Sequence, residues 1–259
     1  MGIVASFRFE MIMKMRSLDT LLDDYGRLLA AVDEWFARSI SRDGRNIACA
    51  GGCSQCCRGL FDITLLDALY LRRGFDRLET RLRRPVLTRA AGRLASLRSL
   101  WPDLEPPYML NVRPEEEWDD VMPDDDETPC PLLGEDGLCL VYRFRPMTCR
   151  LHGIPLVDLS GEILHDEWCT LNFTEHNPLV RTWLRWEFRK CFEEELSIFR
   201  QVTQLLLDRE LNELDTLIPL ALLVDLKSFG WKEWWAQKAR AVREAGFPEN
   251  GRPALEPGK

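Results

Sequence analysis

Residues 49–58 read Cys49-Ala50-Gly51-Gly52-Cys53-Ser54-Gln55-Cys56-Cys57-Arg58. This dense thiol loop is the irregular centre around which the rest of the chain is organised. The Cys53-x-x-Cys56 step folds into a turn that aims two sulfurs at one point, as in zinc knuckles and iron–sulfur sites. Gly51 and Gly52 permit a tight turn and let backbone N–H groups approach sulfur. Arg58 adds a positive charge beside the thiols. Adjacent cysteines rarely ligate one ion, because neighbouring side chains diverge. Cys56 and Cys57 are therefore expected to serve different sites, or one of them is an auxiliary thiol.

Eight of the nine cysteines fall into two groups, and only Cys191 stands apart. The second group is Cys130, Cys139, Cys149 and Cys169. The Cys130-Pro131 step is that of a ferredoxin ligand loop, where proline stiffens the turn. Gly137 is placed for a turn before Cys139. Arg145 and Arg150 flank Cys149 and are expected to lower its pKa. Nearby histidines, His152 above all and then His165 and His176, can add imidazole ligands, although a structural or exposed role is the ordinary use. Asp166 and Glu167 beside Cys169 read as surface acids. Cys191 lies among Leu184, Phe188 and Phe192 and reads as core packing.

Composition decides between metal and disulfide. A hydrophobic content of 46% is enough for a core, and an odd count of nine cysteines cannot pair fully within one chain. The start carries Arg8, Glu10 and Lys14 and no long uncharged stretch, so no secretory signal is expected. No apolar run is long enough for a transmembrane helix. The expectation is a cytoplasmic, reducing location and metal binding. Met1-Gly2-Ile3-Val4-Ala5-Ser6 matches a myristoylation pattern, read as a chance match. Met11, Met13 and Met15 are alternative starts.

A net charge of −8 argues against a nucleic-acid partner. Arginines dominate from Arg72 to Arg98 and acids from Asp103 to Glu127. These two stretches read as solvated faces that attract each other, rather than as a docking surface. A protein or small-molecule partner is left open.

Apolar residues at helical spacing predict an N-terminal helix over 17–40 within a segment 1–44. The cysteine-cluster region spans 45–177. Within it, Thr64 reads as an N-cap with Asp67 at the capping-box position, opening a helix over 64–73. Another helix follows from Pro85 to about 100. The proline-rich, acidic stretch 101–129 reads as an extended loop wrapping the surface, tied down by the cysteines after it. Residues 156–158 and 161–164 read as one small hairpin. From Pro178 a long helix is expected to about 211, then one over 215–227 and one over 231–245, within a region 178–247. A tail, 248–259, should fray. Trp183, Trp186, Trp231, Trp234 and Trp235 read as packing. The fold class is mainly α, with helices packed around an irregular cysteine-rich metal-binding centre in one compact unit.

With these motifs in view, the chain resembles the YkgJ-like cysteine cluster proteins, also described as the CxxCxxCC zinc- or iron-chelating domain. The resemblance rests on the loop ending in Cys56-Cys57, then Cys130-Pro131-Leu132-Leu133, Gly137-x-Cys139-x-x-Tyr142 and Arg145-Pro146-x-x-Cys149-Arg150. It covers roughly residues 45–170, and the Cys49-x3-Cys53 spacing is looser than the family's name. It implies that Cys49, Cys53, Cys56, Cys57, Cys130, Cys139, Cys149 and Cys169 hold a metal or an iron–sulfur cluster. Arg58, Tyr142, Arg145 and Arg150 are expected around it. It implies no defined reaction. A similar cysteine pattern occurs in flagellin lysine methylases, which look like iron–sulfur enzymes, and this keeps modification of a peptide side chain as an alternative.

The order Cys49-x3-Cys53-x2-Cys56 is also that of radical-SAM enzymes. There an aromatic usually precedes the third cysteine, whereas this chain has Gln55, and no series of βα units follows. A [4Fe–4S] cluster is favoured over zinc by Pro131, the nearby arginines and the number of cysteines. A zinc-stabilised interaction module is the other reading.

Overall fold

The structure, a computed structural model, describes residues 16–118, 120–123 and 126–244. The myristoylation-like start, the alternative methionine starts, the Asp124-Asp125 pair, the end of the last helix at Ala245 and the tail 248–259 lie outside the described residues.

Ser17 caps the first helix, α1 (Leu18–Asp43), its side chain accepting from Thr20 N. Leu21, Leu22, Tyr25, Leu28, Leu29, Val32 and Trp35 recur on one face and are all buried. The strand β1 (Asp62–Thr64) leads directly into α2 (Leu65–Phe75), whose N-cap is Thr64. The cap is half a capping box. Asp67 N donates to Thr64 Oγ1, but the Asp67 carboxylate does not reach back to the cap. It turns inward, 3% exposed, and accepts from Tyr25 of α1 and from the backbone N–H of Met147.

The helix α3 (Thr80–Leu100) starts earlier than its proline suggests, with Pro85 inside it. Its arginines serve the chain itself. Arg89 donates to the Pro131 carbonyl, and Arg93 pairs with Asp126 of the acidic stretch. The two oppositely charged stretches therefore meet, as the sequence suggests. The stretch 101–129 is more than a surface wrap, because Trp101, Leu104, Tyr108, Met109, Leu110, Trp118 and Val121 are buried. Its aromatic and aliphatic side chains anchor it in the core, and Gly59 N closes its end on the Thr128 carbonyl at 2.9 Å.

The short helix α4 (Met147–Leu151) precedes an antiparallel pair, β2 (Leu156–Val157) with β3 (Ile163–His165). This is the expected small hairpin. The long helix expected from Pro178 is shorter. Residues 178–187 make two 3₁₀ turns, and α5 runs Phe188–Leu207. Asp158 and Trp186 bridge there, and Trp186 N donates to the Val157 carbonyl, so tertiary bonds take up backbone groups that a helix would use internally.

The helix expected over 215–227 is also corrected. Asp215–Leu217 form β4, antiparallel to β1, and only Ile218–Ala221 are helical, as α6, with Pro219 in the first turn. The last helix is α7 (Trp231–Glu244). Trp231 and Trp234 are buried, and Trp183, Trp186 and Trp235 pack against the core. Cys191 is buried in α5 beside Phe188. Two small antiparallel sheets in a mainly helical molecule leave no place among the described residues for the βα series of a radical-SAM enzyme. No helix is long and apolar enough to cross a membrane among the described residues.

A buried and a half-buried acid, Asp67 and Glu195, meet between α1, α2 and α5. The Tyr25 hydroxyl is 2.7 Å from Asp67 Oδ1 and 2.9 Å from Glu195 Oε1, and one O–H cannot satisfy two ionised carboxylates. Burial, followed by their mutual charge for Glu195, pushes both carboxyl groups upward. Asp215, half-buried beside Asn111, is raised to about 7, chiefly by desolvation of its carboxyl group. Folded values above unfolded ones mean that the folded chain binds more protons. The stabilisation is complete below the unfolded carboxylate range near about pH 4 and is lost as pH rises through the folded values. Thermal stability should therefore fall from about pH 5 to about pH 8, and Glu195→Gln should recover on the order of 1–3 kcal/mol at the upper end. Parallel pH profiles for the two proteins in thermal denaturation would rule out Glu195 as a proton-holding group.

Candidate metal centre

All nine cysteines are free thiols. Seven of them, Cys49, Cys53, Cys56, Cys57, Cys130, Cys139 and Cys149, line a single cavity of about 450 Å³. Its walls also include Asp33, Phe36 and Ile40 of α1, and Tyr142, Arg145, Arg150 and His152. Cys169 joins beside Cys49. A Cβ built on Gly153 would sit 3.5 Å from Cys49 Sγ and 3.6 Å from Cys169 Cβ. The chain can pass there because Gly153 has φ +104° and no side chain. All eight clustered cysteines, from segments far apart in sequence, thus gather in one region. Among the described residues, no three His, Cys, Asp or Glu side chains form a preassembled single-ion site.

Backbone bonds weld the two cysteine segments together. Cys130 N donates to the Cys57 carbonyl at 2.8 Å, and Arg58 and Pro129 form a bridge. Leu133 and Cys139 bridge across the turn that carries Gly137. Gly137, at φ +77°, lies against the first loop so closely that a Cβ there would be 3.0 Å from the Gly52 carbonyl oxygen. The backbone N–H groups of Leu132 and Leu133 near Cys130, and of Val141 near Cys139, oppose the upward push of burial on those thiols, while Leu133 N donates to the Cys130 carbonyl at 3.0 Å. N–H groups near sulfur favour the thiolate.

Asn172, 1% exposed, is a site residue that sequence reasoning missed. Its Oδ1 accepts from Ala48 N at 2.8 Å, while its Nδ2 donates to the Gly153 carbonyl at 2.6 Å and lies 3.4 Å from Cys49 Sγ. Asp33 of α1 is another. It binds Arg145 at 2.8 Å and pairs with Arg150, which is 3% exposed. Arg150 also donates to the carbonyls of Arg145 and Arg143. An asparagine between Leu171 and Phe173, or an acid on a helix, gives no local signal of these bonds.

The arginines do not act on Cys149 as expected. Burial pushes the Cys149 thiol well above its ordinary value, and the neighbouring Cys130 and Cys139 add to the shift. Arg145 and Arg150 instead lower Cys139, against a larger upward push from its burial. Burial likewise raises Cys130 to about 11, and it raises Cys49. The Cys56 and Cys57 thiols are close enough to share a proton, which raises Cys56 and lowers Cys57. Buried neutral thiols must lose protons to ligate a cation, so binding and proton release are coupled here.

Arg58 turns away and contacts Glu127, with Nη1 donating to its carbonyl at 3.2 Å. Tyr142 is 56% exposed, with the Arg145 guanidinium 4.0 Å over its ring. His152 lies edge-on to Phe61 at the cavity wall, and burial lowers its pKa. Asp166 and Glu167 are exposed.

No family model, curated protein or solved structure matches the chain.

Asn172→Ala removes the side-chain partner of the Ala48 N–H and the shorter of two donors to the buried Gly153 carbonyl, and an orphaned buried group costs about 1–3 kcal/mol. A loss on the order of 1–3 kcal/mol in denaturant unfolding is expected. A change below about 0.5 kcal/mol would show that Asn172 does not hold the two loops together.

Proposed function

We propose that the protein binds an iron–sulfur cluster through its clustered cysteines and works as a redox or binding module. The observation that carries this reading is the convergence of seven free thiols on one cavity. A single ion needs about as much room as one water, on the order of 10–15 Å³. A cavity of about 450 Å³ has space for a polynuclear cluster. The donor set suits it as well, since soft thiolates select iron–sulfur clusters, zinc or Cu(I). Backbone N–H groups close to Cys130 and Cys139 favour their thiolates, and such groups around a cluster tune its potential. The resemblance to the YkgJ-like proteins points the same way. Bound there, a cluster would supply one-electron chemistry or an open iron. The chain's own part is to hold thiolates, balance their charge with Arg145 and Arg150, and shield them with α1. Nine unpaired cysteines favour a reducing compartment.

A second reading is an enzyme acting on a peptide or protein side chain. It is favoured by the cavity extending beside Tyr142, Arg145 and His152, with Cys53 exposed at its edge. Zinc held in closed thiolate sites, giving a structural interaction module, is the remaining alternative.

Anaerobically purified protein should be brown, with broad visible absorption and matching iron and sulfide. Cys56→Ser and Cys149→Ser should each lower metal content and thermal stability together, because site formation and folding are linked. Colourless protein with stoichiometric zinc would sink the iron–sulfur reading in favour of the module, and unchanged metal content in both variants would refute the site itself.

A further inference from the structure

The eight thiols are not one undivided group. Cys57, Cys130 and Cys139 are stitched by the Cys130 N–H to Cys57 carbonyl bond and by the Leu133–Cys139 bridge. Cys149 faces the same three from α4. The Cys57 thiol feels the charges of Cys130, Cys149 and Cys139, and Cys149 feels Cys130 and Cys139 ahead of Cys56, which lies where the two sets meet. A different set of bonds holds the others. Asn172 touches Cys49 Sγ with its side chain, and its backbone N–H donates to the Cys169 carbonyl at 2.8 Å. Gly153 lets Cys169 and Cys49 come together, and Cys53 N closes the loop onto the Ala50 carbonyl at 3.0 Å. The Cys49 thiol feels Cys169, Cys53 and Cys56.

The geometry points to two separate centres, one on Cys57, Cys130, Cys139 and Cys149, the other on Cys49, Cys53, Cys169 and Cys56. Each set would offer four thiolates once its thiols lose their protons and draw together, the complement of a [4Fe–4S] cluster or of a zinc ion. The first is walled by Leu132, Arg150 and α4. The second carries Cys53, the one exposed thiol among the eight. Because Cys56 and Cys57 are consecutive and in contact, the two centres are neighbours joined by one peptide bond. The assignment rests on the metal-binding reading above and adds to it the number of centres and the owner of each thiol.

The test is reconstitution of the full chain with ferrous iron and sulfide, followed by metal analysis and EPR of the reduced protein. Wild type should hold about eight irons, and Cys49→Ser, Cys169→Ser and Cys56→Ser should each keep about four. Cys57→Ser and Cys130→Ser should also keep about four irons, those of the other centre. Reduced wild type should show a spectrum broadened by two nearby spins, and each variant a single unbroadened signal. If zinc fills the sites instead, the same partition reads about two ions against about one. A wild type with about four irons that vanish in variants of either set means one shared centre and overturns the partition, while metal binding stands. Loss of only the first centre in Cys56→Ser overturns the placement of Cys56. A chain that takes up neither iron nor zinc overturns both readings. If the Cys57 and Cys130 variants fail to fold, the Cys49 and Cys169 variants decide: retention of half supports two centres, and complete loss from a folded variant refutes them.

Discussion

The buried carboxylate of Asp67 is the interaction on which the arrangement of the thiols depends. It sits in the first turn of α2, accepts from Tyr25 of α1, and accepts from the backbone N–H that opens α4. That N–H is one of the orphan donors every helix start must satisfy. Satisfying it with a carboxylate from the core fixes where α4 begins. Cys149, two residues further, is thereby set against Cys130 and Cys139. Asp33 makes a second such tie, from α1 to Arg150 and Arg145. The helical scaffold thus grips the irregular cysteine loops with charged and polar bonds, those of Asp67 in the low-dielectric interior, where their loss is costly, and those of Asp33 nearer the solvent.

The electrostatics of the thiols follow from the same burial. Most of the perturbed thiols are pushed upward, because the protein around them is apolar and the neighbouring sulfurs repel a second negative charge. Backbone N–H groups and the two arginines work against that push. For Cys49, Cys130, Cys139 and Cys149 the balance favours the neutral thiol, which would release its proton on binding a cation. Arg145 and Arg150 are themselves held by Asp33, so their charge near the thiols is fixed in place rather than mobile.

The candidate site was largely legible from residues 49–58 and 130–169, since cysteine spacing is a local property. The cluster residues do gather, although Arg58 spends its charge on Glu127. The amphipathic pattern of α1 and the Thr64 cap were legible for the same reason. What was not legible lies where distant backbone competes with local preference. Residues 215–217 pair with 62–64 instead of forming a helix, so their backbone groups are satisfied by a strand about 150 residues away in sequence. Residues 178–187 are drawn out of helix by the bond from Trp186 to Val157.

By itself, the sequence determined that this is a mainly helical chain with two thiol-rich segments too dense and too polar at the backbone to be ordinary core. Spacing and periodicity are sufficient for that, because they are set by geometry within a few residues. Only the tertiary structure decided which thiols are neighbours. Cys49 lies next to Cys169, about 120 residues away, through Gly153 and Asn172, while Cys57, eight residues from Cys49, faces Cys130 instead. Side-chain direction at consecutive positions and hydrogen bonds between remote loops decide such partnerships, and neither is encoded in any local pattern.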